Sequence, residues 1–143
     1  MSADEIWKFL DSKTKLFVAF PTKDEFPHVS PVWFCILDKK IYLRTHDYKV
    51  KTGLARSGKA CCSIDEGESY KELRGIIIWG RSRVITERGL LEKVNSIMNE
   101  KYKDLQWMEE EMPKSWVEER RKENRAFIEI IPMKISSWDN GKV

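Results

Sequence analysis

The run from 28 to 37, HVSPVWFCIL, constrains this chain more than any other stretch, because Pro31 sits inside an otherwise strand-like sequence. Proline has no N–H to give to a ladder, so the run belongs at a sheet edge or a bulge, with part of its backbone left open. Val29, Pro31 and Trp33 fall on one face of such a strand, and Ser30, Val32 and Phe34 on the other. Both faces are largely apolar, so cover is expected on each side, as in a barrel or at a contact between two copies.

A tight turn at Asp38, Lys39 and Lys40 leads into a return strand over 41–45. A polar loop follows, then a short helix to about Ser57, with Thr45 or Asp47 as its cap and Gly58 after its end. Between Arg44 and Lys59 stand five Lys or Arg residues against one Asp, while the whole chain carries only +3. The positive charge is therefore focused here, beside a helix start. Cationic forks, a hydroxyl and free amides are what a phosphate requires, and Arg44, Thr45 and either Lys49 or Lys51 can supply them.

Further strands are expected at 16–20, 60–65 and 73–86, the last with bends at Gly75 and Gly80. Two short ones, 126–131 and 134–138, are separated by Pro132. A short amphipathic helix is expected over 3–12, capped by Ser2 or Asp4. From Arg88 the apolar period changes to 3.6, and Leu90, Leu91, Val94, Ile97, Met98 and Tyr102 share a helix face. A second helical region covers 105–124 and breaks near Met112. The expected fold is mainly β: one domain over 1–143, a small antiparallel barrel with a helical insertion at about 88–124.

Composition narrows the function. With 41% hydrophobic and 11% aromatic residues in 143, the chain can bury a core and is not disordered. Three cysteines, two of them adjacent at 61 and 62, make neither a disulfide framework nor a zinc pattern, and Cys35 reads as packing. No metal site is expected. The N-terminus lacks the order of a signal peptide, and no apolar run approaches the ~20 residues of a membrane span, so a cytoplasmic protein with no membrane contact is expected. Nucleic acid is not the expected partner, since the basic excess is confined to one segment and 104–123 is net acidic, with Glu109, Glu110 and Glu111 as a solvated face.

The sequence FVAF, then FPHVSPVWF, IYLRT, a Lys-bearing helix ending in Leu54, ACCSID, LRGIIIWGRSRV and finally PMKISSWD resembles the flavin-binding split-barrel family, the one named for pyridoxamine 5′-phosphate oxidase. The likeness covers 14–86 and 126–139. It implies a six-stranded antiparallel split β-barrel of Greek-key type, a homodimer, and FMN held at the interface between subunits. The flavin ring would lie along Val29, Ser30, Pro31, Val32, Trp33 and Phe34. Its phosphate would meet Arg44, Thr45 and Lys49 or Lys51, with Arg74 near the ring and Trp138 (or Trp79) reaching over from the partner. The implied activity is an oxidoreductase passing hydride or electrons between the flavin and a small-molecule substrate or reductant. The oxidase's C-terminal arginine-and-histidine substrate motif has no counterpart here, as no histidine follows His46. Oxidation of the vitamin itself is therefore not expected. Alternatives on the same barrel are a deazaflavin-dependent reductase, or a flavin or haem carrier without turnover, in which His28 or His46 would ligate the haem. No catalytic acid or base is evident.

Overall fold

The structure is a computed structural model that describes residues 1–24, 26–46, 50–105, 111, 113–115 and 125–143. Helix α1, Ala3–Asp11, starts at Ser2, whose Oγ accepts the Glu5 amide at 3.2 Å. Seven strands follow: β1 Leu16–Phe20, β2 His28–Val32, β3 Phe34–Leu37, β4 Lys40–His46, β5 Ala60–Glu66, β6 Arg74–Val84 and β7 Arg125–Asp139. The short helix α2, Val50–Ala55, lies between β4 and β5, and α3, Arg88–Lys101, between β6 and β7. The second expected helical region lies mostly outside the described residues.

All seven strands form one antiparallel sheet in the order β2-β1-β5-β6-β7-β4-β3. Its two end strands, β2 and β3, are consecutive in the chain and separated by Trp33 alone, so the sheet curls until its ends meet. That is a split barrel, with seven strands instead of six because the 28–37 run divides. Residues 28–32 pair with β1, ending at Leu16↔Val32, and residues 34–37 pair with β4, beginning at Phe34↔Leu43. Pro31 is accommodated because β2 has a neighbour on one side only.

Two further expectations are corrected. The segments at 126–131 and 134–138 are one strand of 15 residues. Pro132 does not break it because the pairing register shifts there, from Trp79↔Lys134 to Gly80↔Pro132, and the bulge absorbs the missing donor. β7 pairs with β4 only as far as Ile130, so Pro132 has no second neighbour to serve. The turn between β3 and β4 is also tighter than a three-residue turn. Asp38 and Lys39 form it alone, at φ of 52° and 57°, and Lys40 already pairs with Leu37.

The barrel interior holds Leu16, Val18, Phe20, Val32, Phe34, Ile41, Leu43, Ile64, Ile76, Ile78, Ile128 and Ile130. Helix α1 closes one end with Phe9 and Leu10. Helix α2 closes the other, where the Ser82 hydroxyl donates to the Ala55 carbonyl at 2.7 Å. Helix α3 buries Val94 and Met98, with Tyr102 just past its end, against Cys35, Tyr42, Ile85 and Phe127 on the outside of β3, β4 and β7. Beneath it sits Glu129, only 2% exposed. Arg83 Nε reaches its Oε1 at 2.8 Å, and the Tyr42 hydroxyl donates to Oε2 at 2.9 Å. Burial alone would raise the Glu129 pKa, but these two donors outweigh it and hold the carboxyl below its ordinary 4.5.

A carboxylate depressed on folding contributes its stability fully above the unfolded-state pKa and loses it as pH falls through the folded value. Stability measured by urea unfolding is therefore expected to fall below about pH 4.5, a drop that Glu129→Gln flattens while costing about 3 kcal/mol at neutral pH.

Candidate functional site

The division of the 28–37 run creates two openings. In an unbroken barrel the β3–β4 register would continue from Phe34↔Leu43 to Trp33 opposite Arg44 and Val32 opposite Thr45. Instead β2 pairs with β1, and the stretch between its free edge and the last residues of β4, where among the described residues no ladder joins the two, is the candidate cleft. The strand expected to carry the flavin ring and the pair expected to hold its phosphate thus border one opening.

Alternation along β2 sorts its side chains. Val29 (62% exposed) and Pro31 point outward to solvent, while Val32 and Phe34 are buried in the core and offer a ligand only backbone. His28 and Ser30 lie on the inward side and are half-buried. Their Nδ1 and Oγ atoms are buried and have no hydrogen-bond partner among the described residues. Such orphans cost about 1–3 kcal/mol each unless a ligand or water meets them. A ring edge rich in acceptors and donors fits this strand. Trp33 lies flat against Tyr102, ring centroids 4.2 Å apart and planes 7° from parallel.

Arg44 and Thr45 are consecutive on β4 and so point to opposite faces. Thr45 is buried toward the interior at 6% exposure. Arg44 faces α3, where its Nη2 donates to Asn99 Oδ1 at 2.8 Å and its guanidinium stands 5.9 Å from the centre of the Phe127 ring. No group lying on a single face of β4 meets both side chains. Lys51 is half-buried on α2, and Lys49 lies outside the described residues.

The remaining two candidates stand apart. Arg74 lies in the barrel end under α1, paired with Glu66 (3.2 Å) and Asp139 (3.4 Å) and 5.2 Å from the centre of the Phe9 ring. Trp138 points outward and lies across Gly75, where any Cβ would come within 2.1 Å of the indole. Eleven residues of β7 separate Trp138 from Phe127, the partner of Arg44, or ~36 Å along an extended strand. One protomer does not bring Arg74 or Trp138 to the cleft.

Among the described residues, the outer face of the sheet is covered by α3 on one half and bare on the other. The bare half runs from β2 through β1, β5 and β6 to β7. It carries Val29 and Pro31, Phe17 (53% exposed), Ile77, Trp79 (40% exposed) and Trp138, among the small residues Ala19, Cys61 and Ser63. Scattered apolar residues on a surface are ordinary, but a contiguous sheet face of them is not.

A separate groove of about 470 Å³ lies between the end of α1, β3 and α3, lined by Asp11, Cys35, Ser96, Ile97, Glu100 and Lys101. None of the expected site residues lines it. Burial pushes the Cys35 thiol up to about 11, so it stays protonated at neutral pH and behaves as a packing residue. Sequence reasoning passed over Lys101 and read Tyr102 only as apolar packing. Nothing in a helical stripe reveals that a hydroxyl at its end bonds to backbone 68 residues away. Among the described residues no cluster of His, Cys, Asp and Glu could hold a metal ion, and no helix is long and apolar enough to cross a membrane.

The fold defines a split-barrel protein. A model of the pyridoxamine 5′-phosphate oxidase family matches residues 2–139, and the chain belongs to that family. Among solved structures it is similar to a conserved hypothetical protein from Mycobacterium tuberculosis, at 26% identity and a TM-score of 0.83, covering 99% of this chain and 87% of that one. It is also similar to the FAD binding protein from Mycobacterium smegmatis (16% identity, TM-score 0.71, 96% and 94% covered). A FAD-binding protein from Mesorhizobium loti gives 17% identity, a TM-score of 0.70 and the same coverage. No curated protein matches the chain.

Proposed function

We propose that this chain is a homodimeric flavoprotein that seats FMN edge-on in the cleft between β2 and β4 and works as an oxidoreductase. The observation that carries the reading is the handover at Trp33, which leaves the backbone edge of β2 open and sets it opposite Arg44 and Thr45. Fold neighbours that are FAD-binding proteins support the cofactor class. The chemistry supplied by a bound flavin is hydride or electron transfer. The protein's share is position and charge. Arg44, oriented by Asn99, and Lys51 or Lys49 meet the phosphate, Thr45 adds a hydroxyl, and Val29, Ser30, Pro31 and Trp33 line the ring. Amides on the open edge of β2 favour negative charge on the reduced ring, with no side-chain acid or base needed for a hydride step.

Charge-assisted bonds of ~1.5–3 kcal/mol each fall short of the ~−8 kcal/mol of micromolar binding once association is subtracted. Apolar cover must add the rest, and Val29 and Pro31 by themselves leave the ring open to water. A second copy docked on the bare sheet face supplies it. Val29 and Pro31 belong both to that face and to the lip of the cleft, so dimer contact and ring burial are one event, with the partner's Trp79 and Trp138 as the aromatic cover. Arg74, held by Glu66 and Asp139, then acts on the barrel end and not on the ring.

Titration of the apo-protein with FMN, FAD and a deazaflavin coenzyme is expected to show tightest binding of FMN. Replacing both Arg44 and Lys51 with Ala is expected to weaken it about 100-fold without unfolding the barrel. Unchanged affinity refutes the phosphate assignment, and tighter binding of the deazaflavin moves the chain to a reductase of that coenzyme. Phe17→Glu, which puts a charge on the bare face, is expected to give a monomer by light scattering and to lose FMN with it. A Phe17→Glu dimer that still binds FMN refutes the interface.

A further inference from the structure

The second opening of the split lies on the far side of the 28–37 run. If the β1–β2 ladder continued past Leu16↔Val32, Thr14 would stand opposite Phe34. It does not continue, and the Phe34 amide and carbonyl are turned away from β4 toward that gap. The Tyr102 hydroxyl fills it. It accepts the Phe34 N–H at 3.0 Å and lies 2.8 Å from both the Thr14 and the Phe34 carbonyls. Lys101 Nζ also donates to the Phe34 carbonyl at 3.0 Å, and the single hydroxyl proton of Tyr102 is shared between the Thr14 and Phe34 carbonyls. One side chain thus stands in for a missing rung between β1 and β3.

Several features show the wedge to be tightly held. Tyr102 is fully buried, and its ring stacks on Trp33, the residue at which the run divides. Burial, the larger effect, pushes its phenol up to about 12 against the bond to Phe34, so it is a neutral donor and acceptor at any ordinary pH. Lys101 lies 3.9 Å from the centre of the Phe34 ring, and desolvation lowers its pKa. Both residues come from the end of α3, so the helix reaches the strand through two adjacent side chains.

We infer that Tyr102 and Lys101 are positioning residues that hold the divided strand at Phe34 and Trp33, and so set the lip of the cleft on the opposite side. This deepens the proposed function and rests on it for the ligand. Without the wedge, Phe34 and Thr14 are free to pair, or the 28–37 run to slide, and β2 no longer presents a fixed open edge.

The test compares Tyr102→Phe, which keeps the ring stack and deletes the hydroxyl, with Tyr42→Phe, which deletes the buried hydroxyl bonded to Glu129 away from the cleft. Lys101→Met serves as a second variant if Tyr102→Phe fails to fold. Amide hydrogen exchange on the ligand-free proteins is expected to speed up at Phe34 and across residues 28–32 by about tenfold in Tyr102→Phe, with no change there in Tyr42→Phe. FMN affinity is expected to fall by about tenfold in Tyr102→Phe, by less in Lys101→Met, and to stay within about twofold in Tyr42→Phe at a similar loss of Tm. Exchange and affinity both unchanged in Tyr102→Phe overturn the inference, as does an equal loss in Tyr42→Phe. If the parent binds no flavin, the cofactor reading fails, while the exchange comparison still decides whether the wedge holds the strand.

Discussion

A strand that leaves one neighbour for another must find new partners for the backbone groups it uncovers, because buried amides and carbonyls left unpaired are costly. The whole architecture turns on that requirement at Trp33. On one side of the run the uncovered groups of Phe34 are met from α3, by Tyr102 and Lys101. On the other side β2 pairs with β1 alone, and its second edge has no strand partner among the described residues. The barrel is thus sealed where a helix supplies a substitute rung and split where nothing does. Pro31 is compatible with the split side alone, since its strand has a single neighbour there.

Much of this was legible in the chain itself. Short apolar runs bounded by turns marked the strands, the change of period at Arg88 marked α3, and Pro31 announced an edge or a bulge before any pairing was known. Three things were not legible, each for a physical reason. At the division of the 28–37 run the Phe34 amide bonds to a hydroxyl contributed 68 residues later, and local pattern carries no trace of it. Pro132 read as a strand boundary, yet it sits at a bulge with one neighbour, where a missing N–H costs little. Arg44 and Thr45 read together as a fork and a hydroxyl for a phosphate, and the strand they share sets their side chains on opposite faces.

The exposed outer face of the sheet and the free edge of β2 meet at Val29 and Pro31, so the proposed interface and the proposed flavin site share these two residues. Among the described residues, helix α3 protects one half of the sheet's outer side. The Tyr42, Arg83 and Glu129 cluster beneath α3 anchors that half by buried charge, and the wedge at the helix end carries its position to the divided strand. The groove beside Lys101 opens on the sealed side and plays no part in this arrangement.

The most direct measurement is a crystal structure of the full chain grown with FMN. The account predicts two copies related by a two-fold axis, each with the flavin edge-on between 29–33 and 44–45 and the partner's Trp79 or Trp138 over the ring. A flavin lodged in the groove of Asp11 and Lys101, or a cleft closed by direct pairing of Val32 with Thr45, would contradict it.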